Sequence, residues 1–342
     1  MRARIGRRQF IILFGGTTIT LALAARAQQG DRLRRIGVLM SMRDGDAEAR
    51  LRVAAFVQGL QELGWTNGRN IHIDDRLADN GTIQAAAAAL VAEAPDVLVV
   101  NGASALRAAK RATKTTPIVF VNVIDPVGQG FVSSLAQPRG NVTGFSIVEP
   151  EMGATSLELL KQIAPRLTEV GVLGATTLGG SAAVEAAIQK AAPSLGVKLI
   201  QFTAPLEPPQ VTSEVEYVFN VLAQRPNAGL LVLPGAYTQS IRAEILELAA
   251  YSRLPAIYPY RYYVAGGGLM SYGVDIADVF RRAAGYVDRI LHGEKPANMP
   301  VQEARMFKLV INLQTAKMLG IEVPPSLLET ADELIDVSAH VG

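Results

Sequence analysis

Val97-Leu98-Val99-Val100-Asn101-Gly102-Ala103-Ser104 decides the fold. Four consecutive apolar residues, three of them β-branched and without polar alternation, mark a strand buried on both faces. The small and neutral polar residues that follow lead straight into helix-period sequence over 104–113. A strand covered on both sides belongs to a parallel sheet with helices on each face. Working outward, strands are predicted over 36–40, 71–75 and 118–122, alternating with helices over 47–63 and 82–94. The first of these helices takes its apolar spacing from Leu51, Ala54, Ala55, Leu60 and Leu63 and stops at Gly64; the second is Ala-rich.

The pattern breaks at Gln137-Pro138-Arg139-Gly140-Asn141 and then restarts. Helices are predicted over 154–163, 182–195, 213–224, 240–251, 277–292 and 315–319. Strands are predicted over 170–173, 198–202, 229–233, 256–258, 269–272 and 307–312, with a polar tail beyond. The expectation is α/β: two doubly wound, Rossmann-like lobes whose chain crosses between them more than once. The second lobe copies the architecture and not the sequence.

A chain of 342 residues has room for two such cores, and 49% hydrophobic with 19% charged residues excludes a disordered protein. With no Cys there are no disulfides, thiolate metal sites, Cys nucleophiles or lipid-anchored N-terminal cysteine. The formal charge of +2 comes from the first 27 residues, which hold five Arg and no acid; the remainder carries 28 bases against 31 acids. A mildly acidic chain without a basic run has no electrostatic footprint for nucleic acid.

Residues 1–27 read as a signal peptide: a basic start, an apolar stretch from Phe10 to Ala25, and the small-x-small cleavage site Ala25-Arg26-Ala27. Arg7-Arg8-Gln9-Phe10 resembles a twin-arginine export signal, with Gly6 where Ser or Thr is usual. Ordinary secretory export fits as well. The mature chain is expected in the periplasm, cleaved after Ala27 and not a lipoprotein.

No Gly precedes a Lys, so there is no P-loop; no G-x-G-x-x-G opens a helix and no G-x-S-x-G elbow is present. His72, His292 and His340 are far apart and at no metal-binding spacing. His72 reads as an outer-face strand residue, His292 as a cation at a helix C-terminus. No metal or cofactor is expected, and nothing points to catalysis.

In open α/β sheets, ligands sit beyond the carboxyl ends of the strands. Those ends supply Ser41, Asn101, Ser104, Asn122 and Asp125 in the first lobe, and Thr176, Ser181, Tyr237, Tyr258 and Tyr260 in the second. Ser271 and Asp275 join them near a later lobe crossing. Small polar groups on one side and hydroxyl plus aromatic groups on the other suit one small amphipathic solute held by hydrogen bonds and stacking. Plainer roles compete: helix caps for the serines, Asp125 and Asp275, and core packing for the tyrosines.

Three separated motifs carry a resemblance over nearly all of residues 34–336. They are Asp125-Pro126-Val127-Gly128 with Gly140-Asn141-Val142-Thr143-Gly144, then Gly267-Gly268-Leu269-Met270-Ser271-Tyr272-Gly273, and Val310-Ile311-Asn312-Leu313-Gln314-Thr315-Ala316-Lys317. Together they resemble the ABC-transporter substrate-binding proteins of the tryptophan/tyrosine-binding type. The resemblance implies the type I periplasmic-binding fold, with lobe crossings near 141–144, 269–273 and 301–307. Lobe 1 would then be 28–143 with 274–300, and lobe 2 144–273 with 301–342. Asn141, Thr143, Gly144 and Gly273 would be hinge residues. The chain departs from the family at Gly174-Ala175-Thr176-Thr177-Leu178-Gly179-Gly180-Ser181, where an Asn/Pro/Ser-rich loop is common.

The function so implied is that of a monomeric solute receptor. It closes by hinge motion on an aromatic or other amino acid, or a related carboxylate, and delivers it to an ABC permease. Tyr rings would stack on the solute's apolar part, hydroxyls and helix N-termini would take a carboxylate, and Asp125 or Asp275 an ammonium. A ligand-sensing subunit for a membrane signalling partner uses the same fold and stays open as the alternative.

Overall fold

The computed structural model describes residues 33–79, 81–147, 151–174, 182–203, 211–304 and 306–336. The first lobe runs β1 (Arg34–Met40), α1 (Ala47–Glu62), β2 (Ile71–Leu77), α2 (Ile83–Ala92), β3 (Val97–Asn101), α3 (Gly102–Ala112), β4 (Ile118–Val123) and β5 (Val142–Ser146). The second begins with α4 (Glu151–Ile163), β6 (Glu169–Gly174), α5 (Ala182–Ala191), β7 (Lys198–Thr203), α6 (Val211–Ala223) and β8 (Ala228–Val232). It continues through α7 (Ala236–Ser240), α8 (Arg242–Tyr251), β9 (Ala256–Tyr258), α9 (Arg261–Ala265) and β10 (Met270–Val274). The chain then returns to the first lobe with α10 (Ile276–Leu291) and β11 (Gln302–Glu303). It ends in the second lobe with β12 (Phe307–Asn312), α11 (Leu313–Leu319), α12 (Pro325–Thr330) and β13 (Glu333–Ile335).

One sheet has the order β11-β5-β4-β3-β1-β2, with every pair parallel. The other has the order β13-β12-β10-β9-β8-β6-β7, parallel except at β10–β12. Strand order reverses between β1 and β3 in the first and between β6 and β8 in the second. Such reversals leave a crevice at the carboxyl edge. Both faces of each sheet are covered. In lobe 1, Ile36, Val38, Val97, Val99, Val119 and Val121 pack toward α1 and α10, and Leu39, Leu98, Val100 and Phe120 toward α2 and α3. In lobe 2, Leu230 and Val232 face α6 and α8, and Val170, Val172, Leu231 and Ile257 face α4 and α5.

The crossings differ from the expected boundaries by a few residues. Val142–Ser146 is a strand of the first sheet, paired with β4, and Gln302 and Glu303 pair with Phe145 and Ser146. The chain therefore leaves lobe 1 after Ser146 rather than after 143, and leaves it finally after Glu303 rather than at 300. The middle crossing falls between Val274 and Ile276. Asn141, Thr143 and Gly144, read as hinge residues, belong to lobe 1. The Asn141 amide donates to the Thr116 carbonyl, and the Thr143 hydroxyl to Met299 at 2.7 Å. Gly144 has φ +152°, and a Cβ there would collide with the Phe120 backbone. Gly273 lies in β10, one residue before the middle crossing, where a Cβ would meet the Pro259 carbonyl oxygen.

Two further elements depart from the sequence reading. The helix expected over 240–251 begins at Arg242 as α8, and an unexpected short helix, α7, precedes it. The polar tail holds a helix and an edge strand, β13, paired in parallel with β12. Among the described residues no helix is long and apolar enough to cross a membrane.

Gly144→Ala should lower unfolding stability by about 2 kcal/mol or more, the range of strained backbone and steric conflict in a core. An unchanged urea midpoint for that variant would mean that β5 does not pack as described.

Candidate functional site

The lobe 1 side is organised by the ends of β3 and β4. Asn101 is the N-cap residue of α3, yet its side chain caps nothing. Instead its Oδ1 accepts from Arg52 Nη1 at 3.3 Å and from Asn122 Nδ2 at 3.4 Å. Asn122 sits in a bulge. The β4–β5 register shifts between Val121 and Val123, and Asn122 has φ +62°. Val123 accordingly packs with Ile118 and Phe120, where simple alternation would place it with Val119 and Val121. The inserted residue is freed from the pleat, and Asn tolerates the left-handed conformation better than most side chains. Ser41 and Ser104 are half-buried at the neighbouring strand ends.

Across the gap stands a ladder of four tyrosines. Tyr260 stacks on Tyr262 at 5.3 Å between ring centroids, Tyr262 on Tyr263 at 5.0 Å, and Tyr263 on Tyr258 at 5.0 Å. Tyr260 donates its hydroxyl to Asn122 Oδ1 at 3.2 Å, joining the lobes. Burial pushes the Tyr260 phenol up to about 12, against the opposing field of Arg52, so it remains a neutral donor at physiological pH. Burial raises Tyr258, Tyr262 and Tyr263 as well. Tyr263 donates to the Thr238 carbonyl at 2.7 Å, which anchors the inner half of the ladder in lobe 2.

An ion pair makes the second link between lobes. Asp46, the N-cap of α1, accepts from the Glu48 N–H and forms a two-pronged bridge to Arg242, at 2.9 and 3.1 Å. Burial alone would raise the Asp46 carboxyl; the Arg242 bonds and the Glu48 N–H outweigh it and hold the group below its ordinary value. The Arg242 and Arg52 guanidiniums lie 5.3 and 5.6 Å from the Tyr262 ring centre.

Of the residues expected from sequence, Asn101, Asn122 and Tyr260 are bonded into one cluster flanked by Ser41 and Ser104. Tyr237 is half-buried in α7 and packs against the apolar cluster containing Tyr258 and Tyr260. Tyr258 stands at the inner end of the ladder, and Ser271, its register partner across β9–β10, is buried with its hydroxyl unpartnered among the described residues. Thr176 and Ser181 lie outside the described residues. Asp125 and Asp275 are not part of the cluster. Asp125 is exposed and accepts from the Gly128 N–H at 2.7 Å, closing its own turn. Asp275 caps α10 through the Asp278 N–H and pairs with Lys308 at 2.7 Å. The helix-cap role holds for Asp275, whereas no helix follows Asp125, which closes a turn instead.

Arg52, Asp46 and Arg242 were missed. The stripe read on α1 was rotated from the one that is buried: Leu51 is 59% exposed, whereas Arg52 is 0% exposed. Ala49, Arg52, Ala55, Phe56, Gly59 and Leu60 form the inward face. An arginine in register with that apolar series was the available signal, because a charge is placed on a core face only where something pairs with it. His72 bonds to Asp74 at 3.0 Å on a half-exposed strand, and no group of three metal-ligating side chains exists among the described residues.

Two α/β lobes, crossed three times and contacting each other at their strand ends, define a type I periplasmic-binding fold. The chain belongs to the ABC transporter substrate-binding protein family, whose match spans residues 36–335; this is a family of non-enzymatic receptors. It is 27% identical over 269 residues to the tyrosine-binding protein of Clostridioides difficile, covering 78% of this chain and 76% of that one. It is 26% identical to the ABC domain in complex with L-Trp from Streptococcus pneumonia, with TM-score 0.79, covering 89% of this chain and all of the other. It is 25% identical to the ligand-free, open structure of a substrate-binding protein with adhesive properties from Clostridium difficile. There the TM-score is 0.65, covering 89% of this chain and 99% of that one.

The Asp46–Arg242 bridge has a pH signature. A carboxyl depressed in the folded state contributes stability above its ordinary pKa, and that contribution is lost as pH falls through the depressed value. Asp46→Asn keeps the cap and loses the bridge. Its melting temperature should lie below wild type at pH 7, with the gap narrowing below about pH 4. A gap that stays constant from pH 7 to pH 3 would remove the bridge from the stability account. Tyr260→Phe, which deletes the other link, should weaken solute binding by about 1 kcal/mol in calorimetry, the usual scale of one hydrogen bond.

Proposed function

We propose that this chain is the extracytoplasmic receptor of an ABC importer. It holds a small amphipathic solute, an aromatic or other amino acid or a related carboxylate, between its lobes and releases it to a membrane permease. One observation carries the reading: the contacts between Asn122 and Tyr260 and between Asp46 and Arg242 lie where the strand ends of the two lobes meet. A solute bridging that gap adds contacts only when the lobes are together. Its differential affinity for the closed form is what drives closure.

Four further observations support it. The tyrosine ladder offers an aromatic surface beside neutral polar groups. Relatives are named for tyrosine binding or were crystallised with L-Trp. The chain is also closer in shape to the L-Trp complex than to the open, ligand-free relative. The export-like sequence at residues 1–27 agrees with work outside the cytoplasm.

A thermal-shift screen of the mature chain against amino acids, aromatic acids, sugars and polyamines tests this. A solute at a hundredfold excess over its Kd stabilises the folded form by about 2.7 kcal/mol, a shift of several degrees. Failure of every compound class to raise the melting temperature would remove the receptor reading.

A further inference from the structure

We propose that Arg52 is the anchor for a carboxylate carried by the solute, an assignment that rests on the receptor reading and narrows its ligand class. Arg52 projects from the buried face of α1, fully out of solvent. Burying a guanidinium is costly unless its charge is paired and its donors are used. Two of its nitrogens are used: Nε donates to Glu48 Oε1 at 3.0 Å, and Nη1 to the neutral Asn101 amide oxygen. Nη2 is buried with no partner among the described residues.

A second orphan lies close by in the other lobe. The Tyr262 hydroxyl is also buried without a partner among the described residues, and the Tyr262 ring lies beside the Arg52 guanidinium. Unpaired buried donors are rare, and two of them on opposite sides of the lobe junction call for an acceptor between them. A carboxylate supplies that acceptor with the matching charge and bonds more strongly to a guanidinium than a neutral oxygen does. The other arginine at this junction, Arg242, already has its charge paired by the two-pronged bridge to Asp46. The nearby acids Glu48 and Asp46 are already paired with Arg52 and Arg242, and the two acids that the sequence offered for an ammonium, Asp125 and Asp275, are engaged elsewhere. Recognition therefore depends on the acid end of the solute and not on an amine.

Three probes with one ring separate these ends: L-tyrosine, its amine-free analogue 3-(4-hydroxyphenyl)propionate, and its carboxyl-free analogue tyramine. They are titrated calorimetrically into wild type, Arg52→Gln, Arg52→Lys and Tyr262→Phe, alongside the thermal-shift screen above. Both acids should bind wild type, and tyramine about tenfold or more weaker, because a site built to bond a group rejects the analogue lacking it. Arg52→Gln should cost about tenfold or more in affinity for the acids, and Arg52→Lys should not restore it, since a point charge does not replace the fork. If Arg52→Gln fails to fold, Tyr262→Phe carries the test, with an expected loss of about threefold to tenfold. Tyramine binding as tightly as the acids, or acid affinity unchanged in the folded variants, overturns the anchor and leaves the receptor reading standing. The same holds if a sugar or polyamine raises the melting temperature when no carboxylate does. No shift from any class overturns both.

Discussion

Asn122 and Tyr260 meet across the junction of two separately wound sheets, and the geometry of the molecule follows from that contact. For Asn122 to reach the gap, β4 must end in a bulge, which breaks the pleat and turns a residue out of alternation. For Tyr260 to reach it, β9 must end next to β8, one strand from the strand-order reversal of lobe 2, and hand the chain to α9. Both residues are buried, so neither side of the hydrogen bond is free to trade its partner for water. A contact of this kind is worth little in water and much more in a water-excluded junction.

Charge at the junction is arranged with the same economy. Asp46 and Arg242 neutralise each other between lobes, and the tyrosines stay protonated because burial disfavours phenolate. Glu48 pairs with Arg52 within α1, leaving one edge of that guanidinium unmet. In a low-dielectric junction an unmet donor is the place where a ligand gains most, since binding removes a penalty already present. The aromatic ladder behind it adds an apolar wall, anchored in its inner half by the Tyr263–Thr238 bond.

Much of this architecture was written in the sequence. Apolar runs without alternation at 36–40, 97–100 and 229–233 specify buried parallel strands. The small and polar residues at the strand ends mark the carboxyl edge of each sheet, which is how Asn101, Asn122 and Tyr260 were reached. Asp275 was equally legible as a helix cap, and the structure uses it so; Asp125-Pro126 read the same way but opens a turn, because no helix follows it. Val142–Ser146 was harder. A short strand containing Thr, Gly and Ser lacks the apolar signature, and it is held by pairing with β4 and by the Thr143–Met299 bond, both of which come from distant sequence.

Local sequence determined the layers, the order of elements and the chemical character of the strand ends, because those depend on periodicity and turn chemistry over a few residues. It did not determine which way α1 is rotated. Leu51 and Arg52 are neighbours whose side chains diverge by about 100° around the helix axis, and only packing against α10 and the end of β3 decides that the arginine goes inward. The partners of Arg52, Asp46 and Tyr262 come from segments 49, 196 and more than 200 residues away, brought together by three crossings of the chain. Charge pairing and burial at such range are properties of the assembled lobes, and no spacing along the chain encodes them.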